Sequence, residues 1–158
     1  MNNMSTRYYV DVNTYCLVTV WADSNLDAEH YCLRLNGIQS ATAYGPDDLG
    51  TDYFRNILQN RTTIGFTDLV DLTIRYGMVL EMIADHKDKI LIEEKDQEDL
   101  SEALFQKDPS DHQEITQILM DMKLSREHVK DLQDEIDSLD QERRKITERL
   151  YIREVDND

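Results

Sequence analysis

The residues of this chain whose types and spacing could carry chemistry are its histidines, its two cysteines and its many carboxylates. His30 and Cys32 stand two positions apart and Cys16 precedes them, a set that could offer a metal one imidazole and two thiolates. A separation of two points His30 and Cys32 to different faces of a helix, however, and such residues are more often core and surface side chains. His86 lies near Asp85 and Asp88, and His112 between Asp111 and Glu114; both read as solvated histidines at helix ends. With 33 acidic residues some carboxylates must fall close together, but no spacing places a pair in a pocket. There is no P-loop, nucleophile elbow, HExxH motif, calcium-binding loop or paired CxxC. The expectation is a protein without a catalytic site, metal or cofactor, which works by contact.

The strongest pattern is a helical seam. With Ile115 as heptad position a, the a positions are Ile115, Met122, Val129, Ile136, Arg143 and Leu150. The d positions are Ile118, Ser125, Leu132, Leu139, Ile146 and Arg153. All but Ser125, Arg143 and Arg153 are apolar, over a length that few globular helices reach, so a coiled coil or long helical hairpin is expected. A stripe this narrow must be covered by a second helix, from the same chain or another copy, and a homodimer is the expected assembly. A buried Arg is costly unless paired, so Ser125 and Arg143 are expected to set register or lie at the seam's edge. Both signs of charge meet at Glu142, Arg144, Lys145 and Arg149, which favours self-pairing.

The formal charge of −16 is spread along the whole chain and is densest at Glu93, Glu94, Asp96, Glu98, Asp99 and Glu102. It argues against direct binding to nucleic acid or to an anionic membrane, both of which need Lys and Arg against phosphate. A solvated helix face is the plain interpretation of the cluster. A contact surface for a basic partner, or an imitation of DNA phosphates, is the sharper one. Apolar residues make up 40% and charged residues 32%, a balance that suits helices with wide solvated faces. No apolar run approaches membrane-spanning length and Met1 to Arg7 is polar, so a cytoplasmic protein with both thiols free is expected.

The elements that position these residues follow from local pattern. Residues 7–12 and 15–22 are rich in β-branched and aromatic types and are interrupted by Asn13 and Thr14, which predicts a hairpin. Tyr8, Val10 and Val12 would share one face, and Tyr9 and Asp11 the other. A covering helix should start at Ser24 as N-cap, bury Leu26, His30 and Leu33, and stop at Asn36-Gly37. A third strand is possible within 38–44, and a helix is expected over 51–59. Thr67 should cap a long helix that buries Leu69, Leu72, Tyr76, Val79, Leu80 and Ile83; whether it runs on past His86–Lys89 stays open. Asp108-Pro109 should end that helical region, with Ser110 capping a final helix that reaches about Arg153. The predicted class is α+β: a small hairpin and helix unit (1–60), a helical region (61–109), a long heptad helix (110–153) and a tail that frays (154–158).

The Tyr8-Tyr9-Val10-Asp11-Val12 start, joined to an acidic helical C-terminal half in a short chain, resembles the small acidic host-takeover proteins of T4-like bacteriophages. The resemblance is to those that inhibit the host ATP-dependent Lon protease. It covers whole-chain character rather than a motif, so no site residues follow from it. It implies a non-enzymatic protein that binds and blocks the protease in the host cytoplasm. The alternatives are an acidic DNA mimic that inhibits a DNA-binding or restriction protein, and a coiled-coil scaffold.

Overall fold

The computed structural model describes residues 5–154. In chain order the elements are β1 (Thr6–Val12), β2 (Cys16–Ala22), α1 (Asn25–Leu33), β3 (Ala41–Tyr44), α2 (Asp52–Asn60), β4 (Thr62–Gly65), α3 (Phe66–Gln106) and α4 (His112–Leu150). The fold is α+β, with strands and short helices first and two long helices that pack together after them. It divides into two compact units. One comprises the chain up to Met78 and from Arg143 onward, and the other Val79–Glu142. One boundary falls inside α3 and the other inside α4.

The first unit is built on a four-stranded sheet in the order β3-β1-β2-β4. β1 and β2 form the expected hairpin, antiparallel from Thr6↔Ala22 to Val12↔Cys16. Its turn places Asn13 and Thr14 at φ 54° and 51°, and the Tyr15 N–H donates to the Val12 carbonyl at 3.1 Å. Asn tolerates that left-handed backbone; Thr seldom does. β4 was not legible in the sequence, since four residues with one large apolar side chain, Ile64, give no alternation to read. It adds parallel to β2.

Alternation assigns the faces as expected. Tyr8, Val10 and Val12 of β1 and Cys16, Val18 and Val20 of β2 are buried in one cluster with Ala28, Cys32, Leu69, Tyr76, Ile146, Leu150 and Ile152. Burying one such valine contributes roughly 1.5–3 kcal/mol, so this face dominates the unit's stability. The opposite face is also covered, by α2: the rings of Tyr9 and Phe54 meet at 5.4 Å and those of Tyr44 and Phe54 at 5.6 Å. On that face Asp11 is buried and accepts from Arg61 Nε at 3.2 Å.

Three helix expectations need correction. α1 does start at Ser24, whose Oγ accepts from the Asp27 N–H at 3.1 Å. Its buried residues are Ala28 and Cys32, however, while Leu26 and Leu33 are 59% and 41% exposed and His30 lies at the surface. Small side chains let the helix lie close on the sheet, and close fit outweighs the bulk of the leucines. Thr67 is not a cap: α3 begins at Phe66, straight from β4. Leu80 of its expected stripe is exposed, and Thr73, four residues after Leu69, is buried instead. The final helix begins at His112, its first intrahelical bond running from the Ile115 N–H to the Asp111 carbonyl. It ends at Leu150 rather than Arg153, because Tyr151 takes φ 50° and breaks the ladder. Of the tail expected to fray, 155–158 lie outside the described residues; Glu154 is held by Tyr76 and Arg143.

Candidate functional site

Within Val79–Glu142, α3 continues without a break through His86–Lys89 and Ile90-Leu91-Ile92, and α4 lies against it. The covered positions of α3 are Val79, Ile83, His86, Ile90, Glu93, Gln97, Leu100 and Leu104, alternating steps of four and three. Those of α4 are Ile115, Ile118, Met122, Ser125, Val129, Leu132, Ile136 and Leu139, all members of the expected seam. Val79, Ile83 and Leu139 form an apolar cluster with Ile136 packed on it. A helix of the same chain, α3, therefore lies against these positions of the seam. Ile146 and Leu150, its last apolar members, belong to the sheet core of the first unit.

The inner line of α3 carries polar residues that its composition disguised as surface. Glu93 was expected to join the exposed acids, but it is half-buried and tied across the hairpin. The Ser125 hydroxyl donates to Glu93 Oε2 at 2.6 Å, His128 Nδ1 lies 2.7 Å from Oε1, and Gln97 Nε2 donates to Ser125 Oγ at 3.1 Å. The Ser125 hydrogen bond, followed by that of His128, holds the Glu93 carboxyl below its usual range. Ser125 is buried, with its hydroxyl both donating to Glu93 and accepting from Gln97. His86 is likewise no solvated helix-end residue. Its side chain is 13% exposed, and Nε2 sits 2.5 Å from Glu135 Oε2 of α4. At the far end Lys107 reaches Glu114 at 2.5 Å.

His86 and Glu135 line a groove of about 400 Å³ with Met82, Asp134, Ser138 and Leu139. An imidazole, a carboxylate and a hydroxyl there invite comparison with a hydrolytic triad. The groove is walled by mid-helix backbone, whose N–H groups are spent on i→i−4 bonds. His86 Nδ1 is buried without a hydrogen bond, 3.9 Å from Asp85 Oδ2. The arrangement is that of an interhelical tie.

The remaining acids of the cluster, Glu94, Asp96, Glu98, Asp99 and Glu102, are all exposed on α3. Glu94, Glu98 and Glu102 follow one another at helical spacing of four, about 6 Å apart along the axis. Arg143, the costly seam residue, is paired with Glu154 in the first unit, where Glu154 Oε2 also accepts from the Tyr76 hydroxyl at 2.9 Å. Burial, helped by that carboxylate, pushes the Tyr76 phenol up to about 12. The residues weighed as metal ligands are not assembled: Cys16 and Cys32 are buried in the sheet core, whereas His30 is exposed. Among the described residues no group of three His, Cys, Asp or Glu side chains is placed to hold a metal, and no helix is long and apolar enough to cross a membrane. The His128–Glu93 and His86–Glu135 ties were missed in the sequence. The signal that could have found them is the four–three spacing of Ile83, His86, Ile90, Glu93 and Gln97. No family model matches the chain, and no curated protein or solved structure matches it.

Proposed function

We propose that this chain is a non-enzymatic protein-interaction module that blocks a host ATP-dependent protease of the Lon type by direct binding, as a phage inhibitor would. The observation that carries the reading is the exposed row Glu94, Glu98 and Glu102, with Asp96 and Asp99 beside it, on a helix braced by polar ties. A braced helix presents charge without the entropic cost of ordering it on binding, and that charge steers a basic partner surface into place. The test replaces Glu94, Glu98 and Glu102 with Lys and measures ATP-driven degradation of an unfolded substrate by purified Lon. The native chain should slow degradation at stoichiometric excess, and the triple variant should lose that effect while keeping its helical circular dichroism. A native chain that leaves proteolysis untouched, or a triple variant that inhibits equally, removes the proposal.

The regular spacing of that same row supports a second reading, the acidic DNA mimic. It demands capture of a DNA-handling protein that is released by salt. The third, a coiled-coil scaffold, would require self-association, which sedimentation of the purified chain tests.

A further inference from the structure

A separate surface lies at the edge of the sheet in the first unit. β4 pairs with β2 only from Cys16 to Thr19, because the chain leaves the sheet at Gly65 to enter α3. Val20, Trp21 and Ala22 therefore have β1 on one side and, among the described residues, no strand on the other. A groove of about 490 Å³ opens there, lined by Thr19, Val20 and Trp21 of β2 together with Tyr31 of α1, Gly65, and Phe66 at the start of α3. Trp21 is 67% exposed and Tyr31 39%, and the Tyr31 and Phe66 rings stand 6.4 Å apart. An open strand edge offers unpaired peptide groups, and the aromatic rings beside it offer π faces.

Charge decides what fits. Asp23 stands two residues after Trp21, and Asp68 on the first turn of α3 brings Oδ2 within 4.0 Å of where a Cβ on Gly65 would sit; both are exposed. Asp68 also offsets the positive end of the α3 dipole at the groove. Arg7, opposite Trp21 in register, is turned onto the Tyr9 ring at 5.2 Å.

We infer that this groove binds an extended, basic segment of a partner protein, which adds as a strand to β2 beyond Thr19 and lays Lys or Arg side chains over Trp21 on one face and apolar side chains against Tyr31 and Phe66 on the other. The inference rests on the reading of the chain as a binding module, but not on the partner being a protease. Trp21 is the single tryptophan of the chain, so its emission reports this groove and nothing else.

The experiment titrates the full chain with a blocked seven-residue peptide of alternating Lys and Val, which contributes no fluorescence. Two comparison peptides replace Lys by Glu, or the central Val by Pro. Expected is a saturable shift of Trp21 emission with the Lys peptide, weakened by salt and absent with the Glu and Pro peptides. Tyr31→Ala should weaken binding by about fivefold, the scale of one partly exposed apolar contact, with recovery in Tyr31→Phe. Equal binding of the Pro peptide would overturn strand addition, and an unchanged Tyr31→Ala titration would overturn the assigned groove. A concentration-dependent shift without peptide would make a second copy the occupant and overturn the basic-segment assignment. No protease is present, so failure here leaves the inhibition assay to stand or fall by itself.

Discussion

Replacing Glu93 by Gln should loosen the helical hairpin, whereas the same change at its neighbour Glu94 should not. Glu93 accepts from Ser125 at 2.6 Å and pairs with His128 at 2.7 Å, and Ser125 is buried. Hydrogen bonds to a charged group contribute about 1.5–3 kcal/mol each when dry. The Glu93 side chain is 23% exposed and His128 54%, so water screens part of this and the His128 pair adds little. The net expectation for Glu93→Gln is a loss of about 1–2 kcal/mol, and for Glu94→Gln less than about 0.5 kcal/mol. A double-mutant cycle with Ser125→Ala should return a coupling of about 1 kcal/mol, because the two residues share one bond. The assay is urea unfolding followed by far-ultraviolet circular dichroism. It adds a pH test with a definite sign. The folded carboxyl titrates below its unfolded value, so its contribution is fully present above the ordinary carboxylate range. It should fade as pH falls through the depressed folded value, and Glu93→Gln should remove that part of the acid dependence. Equal midpoints for Glu93→Gln and Glu94→Gln, or a cycle with no coupling, would refute the assignment of Glu93 to the seam.

Asn13→Ala should cost about 3–5 kcal/mol in urea unfolding, since one buried side chain donates to the Gly37 and Leu150 carbonyls and accepts from the Gln39 and Ser40 N–H groups; Asn13→Gly should be nearly as damaging, and a mild Gly variant would mean that backbone strain dominates. Gly37→Ala should destabilise by more than about 2 kcal/mol, because the residue sits at φ 84° and an added Cβ would meet Ile152 Cδ1 at 2.5 Å; a variant that melts like the native chain would contradict the close approach. Cys16 and Cys32 should resist iodoacetamide at mildly alkaline pH until urea is added. Burial raises both thiols, Cys32 to about 12, which leaves little thiolate to react; rapid native-state labelling would place them at the surface.

The sequence by itself determined the elements whose signal is local. The β1–β2 hairpin and its faces, the Ser24 cap, the stop at Asp108-Pro109 and the covered stripe of α4 all follow from alternation, capping or heptad spacing, which neighbours in the chain impose on each other. What only the tertiary structure decided is which partner each surface meets. Cys32 and Ala28 face the sheet in place of Leu26 and Leu33, because close fit depends on the sheet beneath them. Glu93 and His86 share the four–three spacing of the covered stripe, but their residue types do not mark them as covered, and their partners Ser125, His128 and Glu135 arrive from more than thirty residues away. The heptad stripe of α4 could not say that its early members would meet α3 while Ile146 and Leu150 entered the sheet core. Periodicity reports the direction in which a side chain points, and long-range packing alone determines what stands there to receive it.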